Sequence, residues 1–177
     1  MEHLSGSKGS VWLIEPRYTT VQFIAKFGFL REVKGRLPDV TGFIVRNDED
    51  LHGSSVEAVI RTGTLDTGNH RRDKHLQSKN FLASDEYSEL RYVSSNVVKG
   101  RDRDTLRVTG MLTLHGKSRE VILEVTEVER SLSPQGDEVA YYSAQAEINR
   151  HDFGVSALRF VIGRKVKVVI HVQAVRQ

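Results

Sequence analysis

Apolar and polar residues alternate with a period of two through most of this 177-residue chain. Every second residue is apolar or glycine in the clearest runs, which are 21–27, 106–114, 121–125, 140–148 and 166–174. Such alternation is typical of antiparallel strands that have one face in a core and the other in water. Further candidate strands at 11–15, 33–46, 54–62 and 90–99 bring the count to eight or nine. The pattern predicts an all-β barrel or sandwich.

One segment, Leu65–Leu76 ("LDTGNHRRDKHL"), breaks the alternation. Asn69 is a favourable helix N-cap and the following residues are mostly helix formers, so a short helix is predicted near 69–78. A second short turn is predicted at 83–86. Glycines outside this segment, including Gly35 and Gly42, are interpreted as turn signals.

Composition limits the possible chemistry. There is no cysteine, which excludes disulfides, thiolate nucleophiles and zinc sites with cysteine ligands. No stretch approaches the roughly 18 apolar residues of a membrane-spanning helix. We expect a flexible segment over 1–10 and a single domain over 11–177. Because 1–10 has no apolar signal core, a cytoplasmic location is expected, or a periplasmic or secreted one if a signal was removed.

An enzyme that uses the His70/His75 region is one alternative function. The two histidines are five residues apart, whereas ligands on one helical face need a spacing of about three or four. No recognisable nucleophile or phosphate-loop motif accompanies them. We therefore assign no catalytic and no metal-ligating residue.

Nucleic-acid binding is the other alternative. Arg71, Arg72 and Lys74 form a small basic cluster, but Asp73 lies inside it and would repel phosphates. The whole chain has 26 Lys and Arg against 23 Asp and Glu, with the signs interleaved. Single-strand binders also place aromatic residues on the solvent face of their strands. Most strand aromatics here fall on the apolar face, so no nucleic-acid partner is expected.

A barrel of about eight strands holds either packed side chains or one small ligand. The predicted inward faces mix aromatic residues with small ones, which are Ala25, Gly110, Ala144 and Ala146. This mixture fits a filled lumen as well as an empty one. Strand parity alone does not distinguish between the two.

Ordered motifs over residues 11–175 resemble those of the YceI-like family. They are Val33-x-Gly35-Arg36 with Gly42-x-Ile44; Asp66-Thr67-Gly68 with Arg72-Asp73-x-His75-Leu76-x-Ser78 and Phe81-Leu82; Gly110-x-Leu112-Thr113-x-His115-Gly116; Ile148-Asn149-Arg150-x-Asp152-Phe153-Gly154; and Val166-x-Val168-x-Ile170. The resemblance implies an extended lipocalin-like antiparallel barrel that holds a long polyisoprenoid or isoprenoid-quinone chain. It implies non-catalytic binding, storage or transport of an apolar lipid, with no cofactor besides that lipid. A homodimer is left open.

The chain departs from the family pattern in three places. Tyr18-Thr19 and Phe27 stand where the family commonly has histidines, and the segment over 155–162 is shorter than in many relatives. The departures concern recognition of the ligand's head group rather than of its tail.

Strand parity and helical spacing place ten side chains on the expected lumen. They are Phe23, Phe27, Phe29, Leu76, Phe81, Leu82, Tyr92, Leu112, Tyr142 and Phe153. The helical segment is expected to cover one end of the barrel, with His70, Arg71 and Lys74 in water. The charged motif residues are expected to hold this segment and the 150–154 corner to the barrel rim; they are Arg72, Asp73, Arg150 and Asp152.

Overall fold

A computed structural model describes residues 9–177 of the protein. The strands are β1 (Ser10–Ile14), β2 (Thr20–Phe27), β3 (Arg31–Leu37), β4 (Val40–Arg46), β5 (Ser55–Arg61), β6 (Glu89–Lys99), β7 (Thr105–Leu114), β8 (Lys117–Leu132), β9 (Glu138–Asn149) and β10 (Ile162–Arg176), and the helix is α1 (His70–Gln77). Residues 1–8 of the expected flexible segment lie outside the described residues, and Ser10 already begins β1.

The strands form one closed antiparallel barrel. Their order is β1-β4-β5-β6-β7-β8-β9-β10-β2-β3, and β1 also pairs with β10. Along one edge β10 pairs with β9; along the other it pairs first with β2 and then with β1. β1 and β2 therefore act as two halves of one barrel strand, and so do β3 and β4. The result is an eight-stranded barrel with one short helix, as the sequence predicts, rather than a sandwich.

Two details of the predicted strands are wrong. The candidate strand over 33–46 is broken into β3 and β4 at Pro38-Asp39, because proline has no N–H to donate to a ladder. Gly35 and Gly42 were expected in turns, but they lie inside β3 and β4. At Gly35 the absence of a side chain makes room for the ring of Phe23 on the neighbouring strand.

The predicted helix is confirmed as α1. The Asn69 side chain accepts a hydrogen bond from the Arg72 backbone N–H at 3.1 Å, which caps the first turn. At the other end the Ser78 hydroxyl donates to the His75 carbonyl at 2.5 Å. The second predicted turn is also present, since the Glu86 N–H donates to the Ala83 carbonyl at 2.9 Å.

The two ends of the barrel differ. At one end α1 and the segments over 28–30, 115–116 and 150–161 meet, and we call this the helix end. At the other, the connections over 47–54, 100–104 and 133–137 join the strands, and we call this the floor end. The connection over 62–88, which contains α1, bridges from β5 to β6 across the helix end.

Arg150 organises the long connection between β9 and β10. Its side chain is 5% exposed and donates to the carbonyls of Val155 at 2.7 Å, Ala157 and Ile162 at 2.9 Å, and Gly163 at 3.0 Å. No carboxylate pairs with it in the part of the chain that the structure describes. Burial lowers the pKa of this guanidinium, but arginine starts so high that it stays charged. Backbone carbonyls alone therefore solvate this buried cation.

Replacement of Arg150 by alanine is expected to lower the free energy of unfolding by about 3 kcal/mol, because buried carbonyls lose their donors. Arg150→Lys should recover only part of the loss, since an ammonium cannot reproduce the planar fork. Urea denaturation measures both. The exposed Arg164 provides the control, and Arg164→Ala should stay within about 0.5 kcal/mol of the parent. Equal stability of the Arg150→Ala and Arg164→Ala proteins would contradict this assignment.

Candidate ligand-binding site

The barrel encloses a cavity of about 940 Å³. This volume is near the top of the roughly 300–1,000 Å³ found for small-molecule sites. All ten strands and α1 contribute to its lining. Its middle section is hydrocarbon, formed by residues such as Ile44, Val56, Val97, Leu123, Val125, Val168 and Ile170. The mixture of large and small inward residues therefore leaves an open lumen.

Two aromatic rings lie against the wall instead of filling the lumen. The Tyr92 ring of β6 lies over Gly110 of β7, and the Phe23 ring of β2 lies over Gly35 of β3. The Tyr92 hydroxyl lies 3.2 Å from the Val108 carbonyl and 3.1 Å from the Val121 carbonyl, so its polar end bonds to the wall. Burial raises the pKa of Tyr92, which keeps this hydroxyl protonated as a donor. Glycine next to each aromatic residue keeps the cavity wide.

Gly110→Ala tests this packing. A Cβ at position 110 would stand 2.5 Å from the Tyr92 Cζ and 2.7 Å from the Val93 carbonyl oxygen. We expect the ring to be displaced from the wall and the free energy of unfolding to fall by about 2 kcal/mol. Thermal melting and a crystal structure of the variant would show this. Gly63, which has open space around its Cα, is the control; an undisturbed Tyr92 in the Gly110→Ala protein would refute the account.

A charged and aromatic cluster closes the floor end. The floor consists of Trp12, Arg46, Glu127 and Tyr142. Arg46 donates to Glu127 and, at 2.6 Å, to the Tyr142 hydroxyl, and its guanidinium carbon lies 5.9 Å from the Trp12 ring centroid. β4 and β8 lie on opposite sides of the eight-strand ring, so the Arg46–Glu127 pair spans the lumen. The cavity is bounded here by a paired charge.

The electrostatics of the floor keep Arg46 ionised. Burial works against its charged form, but hydrogen bonds to Asp48 and Glu127 outweigh burial and raise its pKa. The hydrogen bond from Arg46 lowers the pKa of Asp48, and burial raises the pKa of Tyr142. Sequence reasoning missed Arg46 and Glu127. The available signal was a charge at the inward parity of a strand, since Arg46 lies an even number of residues after Val40 and Ile44.

The helix end forms the mouth of the cavity. Polar side chains that line the cavity here are Arg31, Glu32, Asn69, Arg71, Arg72, His75 and the buried Arg150. α1 thus turns polar side chains as well as Leu76 toward the cavity. Arg71 and His75 share a helix face at a spacing of four, and so do Arg72 and Leu76, so one side of this two-turn helix carries all four to the cavity. Arg71 and His75 remain exposed to water as well, whereas His70 and Lys74 are exposed and do not line the cavity.

The motif residues hold α1 on the rim. An Asp73 oxygen accepts from the Thr67 N–H at 2.8 Å and the Thr67 hydroxyl at 2.5 Å, and Arg72 donates to that hydroxyl at 2.8 Å. The backbones of Arg36 and Asp66 exchange two N–H···O=C hydrogen bonds of 2.9 Å, and their side chains form an ion pair at 3.0 Å. The Gly68 N–H and then Arg36 lower the pKa of Asp66. The chain on the N-terminal side of α1 is thus tied to β3.

The 150–154 corner is held differently from what the sequence suggested. Arg150 fixes the following connection, and the His115 ring nitrogen Nδ1 lies 3.1 Å from the Phe153 carbonyl, so two motifs meet there. Asp152, however, is exposed, and its carboxylate makes no hydrogen bond or ion pair within residues 9–177. The expected structural role of Asp152 is therefore wrong.

Asp73→Ala is expected to lower the free energy of unfolding by about 2 kcal/mol, because the Thr67 N–H and hydroxyl lose a charged acceptor. Differential scanning calorimetry measures the change. Asp152→Ala is the matched control, since it removes the same carboxylate from a position without a hydrogen bond or ion pair in residues 9–177, and its melting temperature should stay unchanged. A larger loss in the control than in Asp73→Ala would reverse the assignment.

Most of the expected lumen residues lie where strand parity and helical spacing placed them. Eight of the ten line the cavity, and these are Phe23, Phe27, Leu76, Phe81, Leu82, Tyr92, Leu112 and Tyr142. Phe29 is 96% exposed, because it follows Gly28 in a turn where the alternation of β2 has ended. Phe153 is 2% exposed and packs in the core from a 3₁₀ turn without lining the cavity. Contact of the eight with a ligand stays a prediction.

The described residues contain neither a metal-binding cluster nor a membrane-spanning helix. Within residues 9–177 there is no group of three or more His, Cys, Asp or Glu side chains placed to hold a metal ion. The same residues contain no helix with the length and apolar character needed to cross a membrane.

Comparison with known proteins agrees with the barrel. Protein YceI of Shigella flexneri is 31% identical over 143 residues, which are 81% of this chain and 74% of that protein. BcnA of Burkholderia cenocepacia superposes with a TM-score of 0.80 at 17% identity, covering 90% of this chain and 98% of that one. A domain from Saccharophagus degradans described as polyisoprenoid-binding superposes with a TM-score of 0.68 at 17% identity, covering 96% of this chain and all of that one. The model of the YceI-like domain matches residues 12–174, and the protein therefore belongs to the YceI-like family.

Proposed function

We propose that this protein binds a long-chain apolar lipid, of polyisoprenoid or isoprenoid-quinone type, in the lumen of its barrel. The observation that carries the proposal is the cavity of about 940 Å³, whose middle section is lined by aliphatic and aromatic side chains from every side of the barrel. Each CH₂ group transferred from water into such a site contributes about 0.8 kcal/mol. A hydrocarbon tail would bind there without any directional contact.

The length of the lumen favours a tail over a compact molecule. Tyr142 at the floor and Ile148 near the mouth both line the cavity from β9. They are six steps apart, about 20 Å along the strand at 3.3 Å per residue, which is about 15 Å along the barrel axis for a strand tilt of about 40°. One leaflet of a bilayer has a hydrocarbon depth of about 15 Å, half of the core thickness. The lumen is therefore long enough for a membrane-lipid chain.

The two ends suggest how the ligand is oriented. At the floor the charge of Arg46 is paired with Glu127 and Asp48. At the mouth Arg71 has no hydrogen bond or ion pair among residues 9–177, and Arg31 and His75 line the cavity at the same end. An unpaired polar rim suits a head group, and a hydrocarbon section suits a tail. The tail is accordingly placed toward the floor and the head group at the mouth.

The relatives support the same class of ligand. The Saccharophagus degradans domain that shares this fold is described as polyisoprenoid-binding. Storage or transport, rather than catalysis, is the role that we propose, because the middle section of the cavity is hydrocarbon and its charged side chains lie toward the two ends.

Phe23→Asp is the direct test of the lumen. A carboxylate buried in the apolar wall opposes entry of a hydrocarbon chain, so we expect uptake of a fluorescent isoprenoid by the delipidated protein to be abolished. Gln22→Asp is the matched control: it places the same charge on the adjacent, outward and exposed position, and uptake should be unchanged. Fluorescence titration measures both, and native mass spectrometry of the parent protein identifies the lipid that co-purifies.

His70→Ala separates this proposal from an enzyme of the His70 region. His70 is exposed and does not line the cavity, so isoprenoid uptake should be unaffected. Loss of uptake in His70→Ala together with full uptake in a folded Phe23→Asp protein would refute binding in the lumen.

A further inference from the structure

Three large apolar side chains project into water beside the mouth. Phe29 and Phe160 are each 96% exposed and Leu30 is 87% exposed. They lie on two connections, one between β2 and β3 and the other between β9 and β10, which touch where the Gly28 N–H donates to the Val161 carbonyl at 2.7 Å. We call Phe29, Leu30 and Phe160 the apolar tip.

The apolar tip is continuous with the wall of the cavity. Phe27, Leu158 and Val161 adjoin it along the chain and are 37%, 48% and 41% exposed, and the first two also line the cavity. Single exposed apolar residues are normal on protein surfaces. A contiguous apolar surface that leads into a binding cavity is different and marks an interaction site.

Basic residues surround the apolar tip. Segments 26–34 and 155–165 together contain six Lys or Arg and one Glu, a formal net charge of +5, whereas the whole chain has +3, which leaves −2 for the rest. Four of these cations, Lys26, Arg31, Arg159 and Arg164, have no carboxylate partner within residues 9–177. The Arg159 guanidinium carbon lies 5.8 Å from the Phe160 ring centroid. Positive charge is thus concentrated at the mouth of the barrel.

We propose that the apolar tip docks on the surface of a membrane that contains anionic phospholipids. Phe29, Leu30 and Phe160 enter the boundary between head groups and acyl chains, and the unpaired cations face the phosphates. Aromatic and aliphatic side chains beside Lys and Arg are the composition of surfaces that bind in this way. Docking brings the mouth of the cavity against the membrane. Docking depends on this surface and not on which lipid occupies the lumen.

Charge argues against a second copy of the chain as the occupant. A symmetric dimer through the apolar tip would bring two patches of formal charge +5 together, and like charges across an interface are unfavourable. An anionic membrane complements both the charge and the apolar residues.

Vesicle flotation tests the docking. We expect the parent protein to bind vesicles of phosphatidylcholine with roughly 30% phosphatidylglycerol, to bind phosphatidylcholine vesicles at least about tenfold more weakly, and to be released by about 0.5 M NaCl. The double variant Phe29→Ser/Phe160→Ser should bind the anionic vesicles about tenfold more weakly or worse. Arg159→Glu/Arg164→Glu, which alters only exposed charges, should have an effect of similar size.

Val128→Ser/Leu132→Ser is the matched control. Both residues lie on β8, toward the floor end, and are 65% and 68% exposed, so the same chemical change is made far from the mouth. This variant should bind anionic vesicles as the parent does. Undiminished binding by both tip variants, or no binding by the parent, would overturn the proposal. So would a parent dimer that Phe29→Ser/Phe160→Ser converts to a monomer in light scattering.

Uptake of lipid separates this proposal from the function proposed above. Phe29 and Phe160 do not line the cavity, so Phe29→Ser/Phe160→Ser should still take up a fluorescent isoprenoid delivered from dilute detergent. That result with reduced flotation supports docking at the apolar tip. A parent protein that floats with anionic vesicles but takes up no isoprenoid would count against the lumen and in favour of the docking surface.

Discussion

The pairing of β10 with three other strands is the constraint on which the rest of this structure depends. β10 meets β9 along one edge, and β2 and then β1 along the other, so the sheet closes on itself. Closure gathers the inward faces of all strands around one lumen and satisfies edge hydrogen bonds that an open sheet would leave to water. The cavity, its floor and its mouth are consequences of that ring.

Closure is incomplete at the helix end, and specific contacts complete it there. β3 pairs with β2 on one side, while on its other side the contact is the bridge between Arg36 and Asp66. The connection that carries α1 occupies this gap, and hydrogen bonds from Thr67 to Asp73 hold its shape. Arg150 fixes the connection between β9 and β10. These interactions use backbone carbonyls and N–H groups as partners. They fix the shape of the opening while leaving other cations of the rim without partners.

The distribution of charge gives the barrel a direction. At the floor Arg46 is satisfied by Glu127, Asp48 and Tyr142, so a hydrocarbon chain meets no unpaired charge there. At the mouth, Arg31, Arg71, Arg159 and Arg164 have no carboxylate partner within the described residues. A ligand with an apolar tail and a polar head, and a membrane with an apolar interior and anionic surface, both match this arrangement.

The local elements were determined by the sequence alone. Period-two alternation identified the strands, and Asn69 and its neighbours identified α1. Strand parity identified five residues that line the cavity and helical spacing identified three more, because side-chain direction along a strand or a helix is a local property. Parity failed at Phe29 and Phe153, where the chain leaves the strand geometry. The tertiary structure alone decided whether the lumen is open. An open lumen requires aromatic rings to pack over glycines of the neighbouring strand, as the Tyr92 ring packs over Gly110. It also decided that Arg46 meets Glu127, 81 residues away, and that α1 turns Arg71 and His75 toward the cavity. These outcomes follow from how the closed ring brings distant residues together, which no local pattern encodes.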